Sequence, residues 1–263
     1  MSLDFIVQNS QLFLLVFVRI LAIVELAPLL STSGVPQIAR IGLAFFVTSV
    51  VFPGVMTAGY PIPPSALEYG LLIVGEILIG IIIAFFLVIV YTAFNMAGEF
   101  FSLQMGFGAS QVFDPLAQIE IPIMGQFVNS IAMFIFILVG GFQKLFLVGI
   151  AESFRSVRAV DFVIHRNDVF QTMIGSLAAL FSESMIIAFP ILGTLLLVSV
   201  GMGLLAKAAP QMNLLTMGFP ITIMVAFLVL FLTMPFLVET VAGIVQQSFD
   251  GLGQLLMQMR GTR

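Results

Sequence analysis

The sequence predicts an all-α membrane protein built from about six long hydrophobic helices. Of its 263 residues, 60% are hydrophobic and only 8% are charged, whereas about a quarter of the residues are charged in ordinary soluble domains. The mean hydropathy is +1.20. Apolar runs of roughly 20 residues, the length that crosses a hydrocarbon core about 30 Å thick, recur along the chain. These observations favour a membrane protein and exclude an ordinary soluble domain.

Six apolar runs are long enough to be membrane spans. They lie near residues 11–30, 38–57, 71–96, 121–142, 177–206 and 214–245. Proline and polar residues separate several of them, as in "PLLSTSGVP", "GYPIPP" and "KAAPQMN", because proline interrupts helical hydrogen bonding. The connection over residues 143–175 is the longest and holds more charged residues than any other connection. We predict a single domain over residues 1–263.

Two segments differ from the helices of a simple membrane bundle: one is too long, and one is amphipathic. The pattern over residues 71–105 predicts a helix of about 50 Å, which must tilt, break or stand partly inside a protein assembly. Residues 246–259 predict an amphipathic C-terminal helix that lies on a membrane or a partner. Its apolar side chains, at helical spacing, are Phe249, Leu252, Leu255, Leu256 and Met259.

The composition argues against catalysis, metal binding and nucleic-acid binding. The chain has no cysteine and one histidine, His165, so a metal site would need ligands from elsewhere. No nucleotide-binding loop, zinc-protease motif or serine-hydrolase motif is present, and we predict a protein that is not an enzyme and takes no cofactor. A net charge of −4 leaves no basic surface for phosphates, which excludes nucleic acid as a partner.

Charged residues within the apolar runs are candidate functional residues, because charge is costly in an apolar environment. Arg19 and Glu25 are six residues apart, about 120° around a helix, so we expect their partners on other helices or other subunits. For Glu76 a buried structural ion pair or hydrogen bond is the favoured interpretation, and a proton relay is the alternative. We group Arg19, Glu25, Glu76 and Lys207 as buried charges that support assembly.

The segment "QMGFGASQVFDP", residues 104–115, interrupts the apolar pattern. It suggests an ion-selectivity filter, an intramembrane protease motif or the deformable closure of a pore. The protease motif Gly-x-Gly-Asp lacks its carboxylate, because Ala109 stands there. The filter lacks its threonine, because Gln104 and Met105 occupy the preceding places.

Longer stretches resemble a known family. "AGEFFSLQMGFGASQVFDP" (residues 97–115), Ser153-Phe154 and "FPILGTLLLVSVGMGLLAKAAPQMNLLTMGFP" (residues 189–220) are similar to the FliR family, the export-gate subunit of bacterial flagellar and related type III secretion systems. The resemblance covers essentially the whole chain, and "PQMN" with the following "GFP" is its most specific part. Lys207 stands where the family commonly has arginine.

The resemblance implies a FliP-like half and a FliQ-like half combined in one chain, with the long helices arranged in hairpins. It implies that the chain forms a mixed helical ring with FliP and FliQ, and that FlhB joins this ring, which lies above FlhA. The ring is expected in the bacterial inner membrane at the flagellar basal body. Such a ring, in contact with membrane lipid and partly raised out of the bilayer, exports unfolded flagellar proteins. A virulence secretion homologue is the first alternative, and a proton-coupled transporter of a small solute is the second.

The resemblance also implies that the segment 104–115 plugs the channel, and its residues suit that role. Glycine supplies backbone freedom, phenylalanine supplies bulk, and neutral polar groups add hydrogen bonding without fixed charge. The predicted plug residues are Gln104, Met105, Gly106, Phe107, Gly108, Ala109, Ser110, Gln111 and Phe113. The simpler alternative is that this segment only caps a helical hairpin.

Overall fold

The fold is helical, and a computed structural model describes it for residues 3–28, 30–32, 34–106, 123–159, 165–209 and 214–260. In chain order the elements are α1 (Leu3–Leu26), α2 (Gln37–Ala58), α3 (Ala66–Met105), α4 (Ile123–Leu138), α5 (Gly141–Lys144), a π-helical segment (Leu145–Glu152), α6 (Ser153–Ser156), α7 (Arg166–Ala208), α8 (Leu214–Leu232) and α9 (Met234–Arg260). These ranges contain no β-strand. The prediction of an all-α protein is confirmed.

The helices account for the predicted membrane spans. Among the described residues, α1, α2, α3 and α7 are each long and apolar enough to cross a membrane. Two further spans arise if bent pairs are counted as one each: Met124–Leu138 with Gly141–Ser156, bent by 66°, and Met217–Leu232 with Met234–Met259, bent by 65°. The six predicted runs correspond to these four helices and two bent pairs.

Both bends have local causes in the sequence. Gly140 has φ +72°, a left-handed conformation that ends α4 at little steric cost to glycine. Pro235 lies in the first turn of α9. Its ring lacks an N–H and would clash with the carbonyl group four residues earlier, so α8 cannot continue straight into α9.

Two helices are far longer than a bilayer core. The 40 residues of α3 extend about 60 Å, and the 43 residues of α7 extend about 65 Å. The overlong helix predicted over residues 71–105 is therefore present. The connection predicted over 143–175 is largely helical instead, because α7 already begins at Arg166. Polar residues here are compatible with a helix, and Asp168 in its first turn suits the positive end of the helix dipole.

The chain divides into two compact units. Unit 1 comprises Met1–Val90, Gly140–Leu177 and Val245–Arg263, and unit 2 comprises Tyr91–Val139 and Ala178–Ile244. The long helices α3, α7 and α9 each contribute residues to both units. A single domain over residues 1–263 stays a prediction.

In unit 1, α1 packs against α2 and α3. The ring of Phe13 meets those of Phe45 and Phe52 edge to face, at centroid distances of 5.4 and 5.5 Å. Gly80 allows α3 to approach α1 closely, because a Cβ placed on it would lie 2.6 Å from the carbonyl oxygen of Arg19 and 2.8 Å from Cβ of Ala22. This approach brings polar groups on the two helices within hydrogen-bonding range.

The C-terminal part of α9 completes unit 1. Residues 246–259 are helical, and the five apolar side chains predicted to face a membrane or a partner are buried. Four of them, Leu252, Leu255, Leu256 and Met259, line a small apolar void with Ile79, Ile82, Ile83 and Val157. The expectation of an external surface is therefore corrected: this apolar face packs against the chain itself, as burial of apolar area favours.

Unit 2 is closely packed where α3 meets α4. A Cβ placed on Gly98 would lie 2.5 Å from Cα of Gly125, so the two backbones touch as small residues allow between membrane helices. Phe127 of α4 meets Phe227 of α8 edge to face, with ring centroids 6.0 Å apart. Glycine and aromatic contacts thus hold three helices together in this unit.

Gly80→Ala should destabilise unit 1, because the added methyl group would press on the backbone of α1, and overpacking of this kind costs about 1–3 kcal/mol. Gly70→Ala on the same helix is the matched control, since nothing lies within 4 Å of its Cβ position. It should be neutral or stabilising, by up to about 1 kcal/mol of helix propensity. Thermal unfolding in detergent measures both, and equal melting temperatures would contradict the packing argument.

Candidate functional site

A buried ion pair between α1 and α3 is the first candidate site. Arg19 and Glu76 are both fully buried, and Nε of Arg19 lies 2.5 Å from Oε2 of Glu76. The two residues are supplied by helices that Gly80 allows to meet. Arg19 therefore finds its partner on another helix of the same chain.

The rest of the Arg19 guanidinium group is also occupied. It donates to Oγ of Ser153 at 3.3 Å and to the carbonyl oxygen of Val157 at 3.1 Å. Ser153 in turn donates to the carbonyl oxygen of Ile150 at 2.8 Å. The guanidinium lies over the ring of Phe154 at 4.1 Å from its centroid, a favourable cation–π arrangement. The planar, forked donor set of arginine suits this combination of partners.

Tyr60, between α2 and α3, occupies the second oxygen of the carboxylate. Its hydroxyl donates to Oε1 of Glu76. Burial, and then the negative charge of Glu76, raise the pKa of Tyr60 well above its usual range, so the phenol stays a neutral donor. Arg158 lies 5.8 Å from the Tyr60 ring centroid and donates to the carbonyl oxygen of Gly59 at 3.2 Å. The cluster thereby ties the connection after α2 to the segment after α6.

Local backbone structure brings Ser153 and Val157 to the pair. The π-helical segment Leu145–Glu152 directly precedes Ser153, and such segments often occur at functional sites. A Cβ on Gly149 would lie 3.2 Å from Cγ2 of Ile83, and a Cβ on Gly75 would lie 2.5 Å from Cβ of Ala159. Small residues thus let the segment approach α3 on both sides of the pair.

This arrangement favours a structural role over proton transfer for Glu76. Both of its carboxylate oxygens accept hydrogen bonds, one from Arg19 and one from Tyr60. A buried charge that is paired and fully hydrogen-bonded is tolerated in an apolar environment. Among the described residues, the groups that donate hydrogen bonds to Glu76 are Arg19 and Tyr60, and neither is a carboxyl group.

The other predicted charges lie in different settings. Glu25 accepts from Arg40 on α2 at 3.2 Å, and both side chains are partly exposed. Arg40 also donates to the carbonyl oxygens of Thr32 and Val35 at 2.9 and 3.1 Å, which closes the connection between α1 and α2. Lys207, expected among the buried charges, is exposed. It stands in the last turn of α7, where a cation interacts favourably with the helix dipole.

The second candidate site is the stem of the predicted plug, in unit 2. Met105 is buried, and its carbonyl oxygen accepts from Oγ1 of Thr222 at 3.2 Å. Gln104 contacts Oγ of Ser199 at 3.5 Å. Gly106 has φ +92°, and a Cβ on it would collide with the ring of Phe219. Both constraints require glycine there, so the end of α3 is fixed against α7 and α8.

The remaining predicted plug residues lie outside the described residues. They are Phe107, Gly108, Ala109, Ser110, Gln111 and Phe113. The structure therefore shows where the segment departs from the end of α3. Its role as a plug stays a prediction.

Sequence reasoning missed three partners of the buried pair. Tyr60 belongs to a proline-rich turn, "GYPIPP", and nothing in that pattern indicates a buried hydroxyl group. Ser153 enters only through the family resemblance, and Val157 contributes a backbone carbonyl that any residue possesses. The one signal in the sequence is that Tyr60 lies in the connection directly before the helix that carries Glu76.

Removing Arg19 should be far more damaging than removing both charges. Arg19→Met leaves Glu76 buried without its counter-ion, a change that typically costs about 3–5 kcal/mol, whereas an apolar replacement of a whole buried pair is often neutral. The double variant Arg19→Met with Glu76→Leu should therefore recover much of the stability. Thermal unfolding of the single and double variants in detergent tests this, and additive losses would show that the two side chains act independently.

Comparisons with known proteins agree with the resemblance. The family model of bacterial export proteins, family 1, matches residues 10–248. The flagellar biosynthetic protein FliR of Borreliella burgdorferi is 30% identical over 97% of this chain and 94% of its own length. The proteins of the same name from Bacillus subtilis and Escherichia coli are 33% and 27% identical, over 93% and 92% of this chain and 94% and 91% of their own lengths.

The family model spans most of the chain, and these two relatives each align with more than nine tenths of it. The apolar helices and the family agree in placing the protein in a membrane, as a component of an export apparatus. The chain belongs to the FliR family of bacterial export proteins.

Proposed function

We propose that this protein is a subunit of the flagellar type III protein export gate in the bacterial inner membrane and that it is not an enzyme. The observation that carries the proposal is the family match over residues 10–248. The relatives described above are flagellar biosynthetic proteins, which favours the flagellar system over a virulence secretion homologue.

The partners that we propose are FliP and FliQ in a mixed ring, with FlhB joined to it and FlhA below. Helices α3 and α7, at about 60 and 65 Å, exceed a hydrocarbon core of about 30 Å. Apolar side chains such as Phe170 near one end of α7 and Leu204 near the other are exposed. A bilayer cannot cover both, so a protein assembly accounts for the lengths better than an isolated bundle does.

The gate acts as a conduit, and its energy comes from elsewhere. The sequence holds no nucleotide-binding loop, so the proton gradient or a partner ATPase drives export of unfolded flagellar proteins. The buried pair of Arg19 and Glu76 is a structural lock in this scheme, because its hydrogen bonds are already made within the chain.

The segment after Gly106 closes the channel in our proposal. Its stem is held by Thr222 and Ser199, which gives it a fixed point of departure from α3. Beyond the stem, the sequence is uncharged up to Phe113. Such a segment obstructs ions and water when closed and offers no specific pocket to a passing chain.

Deleting residues 106–111 should make the membrane leaky to small ions while the gate still assembles, because the stem contacts at Gln104 and Met105 remain. Conductance of the purified complex in planar bilayers, or ion sensitivity of cells, measures the leak. Gly106→Ala should leak as well, because its Cβ meets the ring of Phe219, whereas Gly218→Ala is the matched control with nothing within 4 Å of its Cβ position. Unchanged conductance in an assembled deletion variant would count against the plug.

Affinity purification of the tagged chain from membranes should recover it in a ring with FliP and FliQ. The long exposed apolar surfaces of α7 predict that the isolated chain is poorly soluble without those partners. A stable monomer or homodimer that moves a small solute into liposomes would instead favour the transporter and overturn the proposed function.

A further inference from the structure

Glu183, in the first half of α7, is partly buried, and one of its two carboxylate oxygens has no hydrogen-bond partner. Three shielded side-chain atoms among the described residues lack any hydrogen-bond partner: Nε of Arg40, Oδ1 of Asn129 and Oε2 of Glu183. The guanidinium of Arg40 is already bonded to Glu25, and Asn129 is neutral. Glu183 alone brings an unpaired carboxylate oxygen into an apolar helix, where such a group needs a donor.

The surface beside Glu183 is apolar and uncovered. At 100° per residue, Ile186 and Phe189 lie about 60° and 120° from Glu183 around the helix axis, and they are 49% and 73% exposed. On the other side of Glu183, Leu180 and Ile187 are buried. The carboxylate thus stands at the edge between the face that packs within unit 2 and a face that nothing in the described chain covers.

The net charge of unit 2 indicates what kind of partner would cover the surface beside Glu183. Unit 1 contains eight acidic and eight basic residues, whereas unit 2 contains five acidic residues and one basic residue. The whole net charge of −4 therefore belongs to unit 2. Its basic residue, Lys207, lies 24 residues after Glu183 on the same helix, about 36 Å away, and cannot reach the carboxylate.

Three kinds of occupant differ in what they supply to this surface. Lipid covers Ile186 and Phe189 but offers no donor to the carboxylate, and water offers donors but leaves the two side chains wet. An apolar helix with a lysine or arginine at the matching height supplies both. We propose that the face of α7 at Glu183 binds such a helix from another subunit of the export gate, with an ion pair between its basic residue and Glu183.

This inference rests on the proposed function, since it requires a neighbouring subunit. It adds the place of contact, the chemistry of the partner and the residue that sets its register. Packing of apolar side chains supplies the contact area, and the ion pair selects the height at which the two helices match, because a displaced helix would leave both charges unpaired.

Charge reversal tests the ion pair in the assembled gate. Glu183→Lys should lower recovery of partner subunits with the tagged chain by about ten-fold or more, and Glu183→Gln should lower it less, because glutamine keeps a hydrogen-bond acceptor. Glu239→Lys is the matched control, since Glu239 is an exposed glutamate of the same unit. Equal loss from both lysine variants would attribute the effect to net charge and overturn the inference.

Restoring the pair identifies the partner. In cells that carry Glu183→Lys, selection for recovered motility should yield a lysine or arginine changed to an acidic residue in another gate subunit. A photo-crosslinker at position 186 should join the chain to that same subunit, and the crosslink should weaken in Glu183→Lys. Normal assembly of Glu183→Lys, or crosslinks to lipid alone, would refute the ion pair.

The two proposals fail in distinguishable ways. If the wild-type chain does not purify with gate subunits, the proposed function fails. If the wild-type chain assembles and Glu183→Lys assembles equally well, with the level of folded protein unchanged, only the inference about Glu183 fails.

Discussion

The buried contact between Arg19 and Glu76 constrains how the parts of unit 1 fit together, because neither charge can be buried there without the other. Two full charges lie where no water reaches them, and they are tolerable only because each of their nitrogen and oxygen atoms takes part in a hydrogen bond. Completing these hydrogen bonds requires Tyr60 after α2 and the segment from Ser153 to Val157. Four separate parts of the chain must therefore be in place together, which an apolar contact of the same size would not demand.

The sequence reveals the apolar architecture well and the polar contacts poorly. Helix α3 follows from a nearly continuous apolar pattern, which acts locally. The bends at Gly140 and Pro235 also have local causes, but the apolar runs over residues 121–142 and 214–245 do not reveal them. Arg19 and Glu76 stand out as charges in apolar runs, but their pairing depends on which helix faces lie together. Tyr60 could not be assigned, because 16 residues separate it from Glu76 along the chain and its turn carries no sign of burial.

The errors have the same origin. The charged residues within 143–175 predict a connection between spans, whereas the helix α7 begins inside this range at Arg166. The apolar stripe of residues 246–259 predicts an amphipathic helix, and in the structure its apolar face packs within the chain and not on an external surface. A periodic pattern shows that a face will be covered, and only the tertiary structure shows that Ile79, Ile82 and Ile83 are among the residues that cover it.

The two units differ in how their charges are satisfied. In unit 1, Arg19 pairs with Glu76 and Arg40 pairs with Glu25. The numbers of acidic and basic residues in this unit are equal. Unit 2 is negative and keeps one carboxylate oxygen of Glu183 without a donor. A chain whose charges balance in its first unit and are net negative in its second is suited to fold by itself in one part and to depend on neighbours in the other. That division fits a subunit whose exposed apolar helices are covered only on assembly.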